Sequence, residues 1–363
     1  MLVVLIFLGA YNLVFRGDIV STENVIIPKE NNAFKKGSDK IFVVAEEPVA
    51  GAVINKKNES ILYYLKSNGN AYESSLNGDV KRPFSKDNVE GLVDVSWSAD
   101  ANKAIIKINN EGRDIFYFYD HEKKEGSRIK DNVDNVVWSN VGNRIIYKYF
   151  NPDTKERTLN IANADGNNWE KIADIGFRDV SIAGVPQSSF VSFWNYPKSG
   201  TETSLNLVAA TGGAVENIFN GKYGADYLWS PDGKNALVSS LEDPNSASFK
   251  LGVIGREKKK YQEIGNSSLV SKCIWSYDAV SIYCALPSGD ELGGATLEDY
   301  QRKEIFSKDV FWKINVKNGK KERIVEPEEI TEEYDAQGLI LSPKEDYLFF
   351  TNRIDGKLYG VSL

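Results

Sequence analysis

Seven short segments of this chain follow one pattern, and that repetition limits the available folds more than any other feature of the sequence. Five copies are clear: DVSWSADANKAIIKI from Asp94, NVVWSNVGNRIIYKY from Asn135, DYLWSPDGKNALVSS from Asp226, KCIWSYDAVSIYCAL from Lys272 and GLILSPKEDYLFFTN from Gly338. Each is a short apolar strand ending in Trp or Leu, then Ser, a polar turn and a second apolar strand. Two fainter copies fit the same frame, GAVINKKNESILYYL from Gly51 and SIAGVPQSSFVSFWN from Ser181. The equivalent positions are Val53, Trp97, Trp138, Ala183, Trp229, Trp275 and Leu341, spaced by 44, 41, 45, 46, 46 and 66 residues.

Turn chemistry converts the pattern into strands. In Ser230-Pro231-Asp232-Gly233, Pro fixes φ, Asp bonds its own backbone and Gly takes the position that needs φ > 0. A second hairpin follows in each unit, as in Ile115–Tyr119 with Arg128–Ile129 and Leu159–Ala162 with Glu170–Ile172. Two hairpins make a four-stranded sheet, which is too small to be stable alone. Packing such sheets face to face around an axis buries both faces and protects the edges. The expected fold is therefore an all-β propeller of seven four-stranded blades; the faint copies at Val53 and Ala183 leave six or eight open. The last unit stops one strand short, and an unused strand, Lys40–Ala45, precedes the first blade. It is placed to complete the last blade and close the ring.

The Trp-Ser-Pro-Asp-Gly-Lys run at Trp229–Lys234, with its echoes at Trp97, Trp138, Trp275 and Leu341, resembles the WD40-like (PD40) repeat of TolB-type propellers. The same repeat occurs in the propeller domains of prolyl-oligopeptidase-like enzymes. The resemblance covers most of 51–363 and implies the propeller fold. It also implies either a protein-binding platform of the bacterial envelope or a gating domain attached to a hydrolase.

Composition excludes several chemistries. The chain of 363 residues has a net charge of −7. No part of it forms a basic face, so nucleic-acid binding lacks its electrostatic footprint. Lys123–Lys124 and Lys258–Lys260 read as solvated turns. The single histidine, His121, lies between Asp120 and Glu122 and reads as a surface turn residue, which excludes multi-histidine chemistry. No G-x-S-x-G elbow occurs, so no catalytic residue is assigned. The oxygen-rich stretches at Asp165–Asn168 and Asn151–Asp153 do not match calcium-loop spacing. No glycine-rich phosphate loop follows a strand and opens a helix. The expectation is no metal and no cofactor.

Residues 1–15, MLVVLIFLGAYNLVF, form an apolar run shorter than the ~20 residues that cross a bilayer core. The preferred reading is a signal anchor that begins upstream of Met1, and a cleaved signal peptide is the alternative. Residues 16–39 read as a flexible stalk and 40–363 as the propeller, held outside the cytoplasm on the membrane.

Cys273 and Cys284 lie on the first and second strands of the sixth repeat. If Trp275 pairs with Ile282, then Cys273 pairs with Cys284, within disulfide reach. A disulfide would fit an exported protein, and two buried thiols are the equal alternative. The 66-residue spacing reflects an insertion at Pro287–Asp309, PSGDELGGATLEDYQRKEIFSKD, in which Leu297–Phe306 has the makings of a short helix. It lies between the second and third strands and should overhang one mouth of the central channel. Long loops on a rigid scaffold carry binding, and the candidate site is Asp290, Glu291, Glu298, Asp299, Tyr300 and Arg302. The bland alternative is a tolerated surface insertion. The leading functional expectation is a non-catalytic interaction propeller whose partner is another envelope protein. The alternatives are an enzyme with carboxylates at the channel mouth (a lyase or glycan hydrolase), a propeller accessory to a peptidase supplied in trans, and a self-associating surface protein.

Overall fold

A computed structural model describes residues 39–246, 248–265, 267–289 and 295–363. Residues 1–38, which hold the expected anchor and nearly all of the expected stalk, lie outside the described residues. The rest is a β-propeller built from antiparallel strands in sequence order. The innermost strands are Val49–Asn55, Leu92–Trp97, Val133–Trp138, Val180–Gly184, the second half of Glu216–Trp229, Cys273–Trp275 and Ala336–Leu341. Five sheets have four strands, and a sixth has seven because Glu216–Trp229 serves two blades. Its first half is the outer strand of the fourth blade, with Leu205 opposite Phe219. Its second half is the inner strand of the fifth, with Tyr227 opposite Val238.

Seven apolar cores separate successive blades, which accounts for the near-continuous apolar runs of the second strands. All six residues of Ser60–Leu65, for example, are buried. Leu62 and Tyr64 pack on Ala104 and Ile106 between the first two blades, and Phe349 packs on Ile61 and Tyr63 between the last and the first. The ring is fastened by Ile41–Ala45, which pairs with Leu358–Ser362, Ile41 lying opposite Val361 and Val43 opposite Tyr359.

The repeated Trp is a latch between blades. The indole N–H of Trp97 donates to the Gly51 carbonyl (2.6 Å), that of Trp138 to Ser96 O (2.9 Å), that of Trp229 to Ser192 Oγ (2.8 Å) and that of Trp275 to Leu228 O (3.0 Å). Each acceptor belongs to the preceding blade. Gly51 must be glycine, because an added Cβ would stand 2.0 Å from the Val95 carbonyl oxygen and its φ is +53°. The Ser that follows Trp organises the turn. Ser230 Oγ donates to Asp232 (2.6 Å) and accepts from the Asn235 N–H (3.1 Å), while Asp232 accepts from the Lys234 N–H (3.1 Å). Ser98 and Asp100 repeat the arrangement.

Cys273 lies directly opposite Cys284 and Trp275 opposite Ile282, and the two sulfurs are joined. Reducing this bridge is expected to lower stability by about 3 kcal/mol, from the unfolded-chain entropy of the short loop it closes. Urea titration with and without reductant measures the difference.

Candidate functional site

First-to-second-strand turns lie on one face of the ring. Second-to-third-strand loops and blade-to-blade connections lie on the other, and the insertion stands on that second face. Pro287 and Asp309 are paired across its base. Thr296 caps the helix Leu297–Gln301 in a capping box with Asp299: Thr296 Oγ1 accepts from the Asp299 N–H (3.2 Å), and Asp299 accepts from the Thr296 N–H (2.8 Å). Leu297 and Tyr300 point inward onto Leu241 and Phe249 of the fifth blade. On the other side Glu298 accepts from the Ser199 N–H (3.0 Å) and hydroxyl (2.8 Å) of the fourth blade, and Gln301 donates to Pro197 O (3.2 Å). Burial pushes the Glu298 carboxyl up, but the Ser199 bonds and Arg302 outweigh it and hold the group below its usual range.

The described candidate residues make contacts that hold the insertion in place. Glu298 fastens the helix to the fourth blade, Asp299 caps it, and exposed Arg302 pairs with Asp299 and with Glu304 (2.7 Å). Tyr300 is buried, yet its edge reaches the cavity described below. Asp290 and Glu291 lie outside the described residues.

A buried charge cluster ties the insertion to the sixth and seventh blades. Lys272 Nζ lies 2.6 Å from Asp309 Oδ2 and 2.5 Å from Asp335 Oδ1, and Arg353 Nη1 lies 2.7 Å from Asp335 Oδ2. The Tyr300 hydroxyl donates to Asp335 (2.7 Å), and the Arg353 guanidinium lies 3.7 Å above the Tyr300 ring. Two cations face two carboxylates, so the cluster is neutral. Burial would discharge Lys272, but Asp309, Tyr300 and Asp335 hold it protonated, above its ordinary range.

Between this roof and the inner strands is a cavity of about 240 Å³, lined in part by Tyr196, Asp226, Ser239, Tyr300, Lys303 and Arg353. A second cavity, about 370 Å³ and facing the inner strands of the third to sixth blades, shares Ser181, Asp226 and Ser271 with it. Asp226 therefore stands where the mouth meets the channel. Its Oδ1 accepts from the Trp194 indole N–H (2.9 Å) and the Tyr227 N–H (3.1 Å). No described cation forms an ion pair with it. Burial pushes its carboxyl up to about 6, against the opposing pull of those two donors. On the lining of the first cavity, burial lowers the Lys303 amine, helped by the nearby charges of Lys66 and Arg353.

A raised carboxyl has a stability signature. The folded chain holds the Asp226 proton more tightly than the unfolded chain does. Its contribution is therefore fully present below about pH 4 and is lost as pH rises to about 6. Asp226→Asn keeps an acceptor for Trp194 and is expected to raise stability by about 1–3 kcal/mol at neutral pH and by almost nothing near pH 4. Urea unfolding at the two pH values tests this.

Sequence reading missed Asp226, although a signal was present. Three residues before the repeated Trp, the copies carry Asp94, Asn135, Asp226 and Lys272, polar groups at the start of inner strands. His121 needs correction. It is enclosed by aromatic rings of two blades, stacked on Trp97 (5.0 Å) and edge-on to Tyr119 (4.8 Å). Its Nε2 is 3.2 Å from the Tyr64 hydroxyl oxygen, and that hydroxyl donates its proton to Asp87 (2.7 Å). Burial lowers its pKa to about 4, so it is neutral at physiological pH.

No family model and no curated protein matches the sequence. Among solved structures the chain is similar to an oligogalacturonate lyase from Vibrio parahaemolyticus, with 13% identity, a TM-score of 0.60 and coverage of 89% of this chain and 93% of that one. An oligogalacturonate lyase in complex with manganese gives 15% identity, a TM-score of 0.60 and coverage of 88% and 90%. The β-propeller domain of the Trilobed protease from Pyrococcus furiosus gives 12% identity, a TM-score of 0.55 and coverage of 86% and 95%. At such identities the likeness is one of fold: this chain is a β-propeller.

Proposed function

We propose that this chain is a non-catalytic binding propeller of the cell envelope, exported and tethered by its N-terminal apolar segment, with its WD40-like repeats related to those of TolB-type propellers. Its binding face is the channel mouth beneath the insertion, and its partner is another envelope protein. One observation carries the reading: a helix fastened to the fourth, fifth and seventh blades roofs a polar cavity whose walls are already in place. Preorganised walls reduce the ordering cost of binding. The joined cysteines favour an oxidising compartment.

The full chain serves as bait in a pull-down from the source organism's envelope fraction, beside a chain lacking residues 289–304 and one carrying Tyr196→Ala with Lys303→Glu. A partner held by the intact chain and lost from both variants supports the reading. A partner held equally by all three overturns it.

A second reading, an enzyme acting at the mouth, draws on Asp226, whose carboxyl burial pushes up to about 6 beside a cavity, and on the likeness to lyases. Among the described residues no three His, Cys, Asp or Glu side chains converge. Among those residues there is no donor set for the manganese of that neighbour, and this reading draws on Asp226 as a general base.

A further inference from the structure

We infer that the mouth cavity takes a primary ammonium group carried next to a carbonyl or carboxylate, the chemistry shared by a free α-amino acid and a peptide N-terminus, with the ammonium seated on Asp226. The inference rests on the mouth being the binding face and specifies what that face recognises. Two charges of opposite sign line one cavity without neutralising partners. Asp226 Oδ1 is occupied by Trp194 and Tyr227, whereas Oδ2 has no described partner and is not sealed from solvent. Asp226 lines both cavities. A carboxylate held among protein groups without a cation is costly, and an ammonium placed there relieves that cost while gaining a charge-assisted hydrogen bond. The same lining carries Lys303, which has no carboxylate partner among the described residues, and Arg353. Arg353 is taken up by Asp335 and the Tyr300 carbonyl, which leaves Lys303 as the cation for the ligand's oxygen. Of the other lining residues, Ser181, Ser239, Ser271, Gln301 and Gln337 offer neutral hydrogen bonds, and Leu269 and Leu297 add apolar surface. At about 240 Å³ the space is near the lower end of small-ligand pockets, ~300 Å³. That admits one or two small residues, such as the free end of a chain whose remainder docks on the face around the mouth.

Calorimetric titration of the full chain with Ala-Ala, N-acetyl-Ala-Ala and L-alanine tests the inference. Ala-Ala or L-alanine is expected to bind and the acetylated dipeptide to fail, because acetylation removes the cation and leaves the shape. If Ala-Ala binds as well as or better than L-alanine, the natural source is a chain terminus. If L-alanine alone binds, the source is the free amino acid. Asp226→Asn should weaken the binding probe by about tenfold or more, and Lys303→Gln by less. Since Asp226→Asn is expected to raise stability at neutral pH, a melting curve separates lost binding from lost fold. Equal binding of the acetylated and free dipeptides, an Asp226→Asn affinity within about twofold of the parent, or no binding of either amine at about 10 mM overturns the inference. The pull-down distinguishes the two levels: a partner retained by Asp226→Asn leaves the mouth as the platform and removes only the ammonium site.

Discussion

Replacing Lys272 by Met is expected to cost about 3–5 kcal/mol of folding stability, the largest loss from any single substitution considered. The side chain is almost completely buried, as are Asp309 and Asp335. Removing its charge leaves two carboxylates in the protein interior with Arg353 as the one remaining cation paired with them among the described residues, while Met roughly keeps the volume, so the loss reports electrostatics and not a cavity. The effect reaches the mouth, because Asp335 holds Tyr300, and Tyr300 holds the insertion helix. Urea unfolding gives the loss. Pairing Lys272→Met with Asp309→Asn should recover part of it, since the second change removes one of the two stranded charges. A Lys272→Met chain within about 1 kcal/mol of the parent would mean that the cluster does not hold the roof in place.

A comparable loss is expected when the closing strand is removed. A chain starting at Glu46 lacks the partner of Leu358–Ser362, and it exposes the core between the last and first blades, where Val44 and Ala45 are buried beside Val49, Ile54 and Phe349. Fully burying an Ile or Val side chain contributes about 1.5–3 kcal/mol each. Losing Ile41 and Val44 therefore costs about 3–6 kcal/mol before any hydrogen bond is counted. Phe42 lies over Gly360, where an added Cβ would meet its ring at 2.4 Å, so Gly360→Ala should produce a milder form of the same opening. The freed edge also invites pairing between chains. Compared with a chain starting at Asp39, the shorter chain should unfold at lower urea and elute partly as oligomers. Equal midpoints and a monomeric profile would show that the ring closes without this strand.

Much of the fold was legible because it repeats. The Trp-Ser spacing marked the inner strands, and residue arithmetic across one turn placed Cys273 opposite Cys284. A spare strand at Lys40–Ala45 pointed to the closure. The insertion was visible as an interrupted period, and the strand order put it on the mouth face. The site was less legible, for physical reasons. Glu298 and Asp299 look like exposed acids in the sequence, but a helix N-terminus and the Ser199 groups of another blade absorb them, and only three-dimensional proximity reveals this. Lys272, Asp309, Asp335 and Arg353 are spread over four sequence-distant strand ends, each ordinary in its local context. Asp226 was hidden inside the repeat motif, where its strand position drew attention to the neighbouring Trp229. His121 sits in a polar run, and its enclosure depends on rings from the first blade that the local sequence does not contain.

The most direct test of the central claim places a photo-crosslinking amino acid at Tyr196 in one chain and at Tyr277 in another. Both side chains are exposed, Tyr196 on the mouth face and Tyr277 in a first-to-second-strand turn of the opposite face. Irradiation in the envelope fraction should give a discrete adduct from position 196 and none from position 277. An adduct from position 277 alone would contradict the assignment of the insertion-roofed mouth as the binding face.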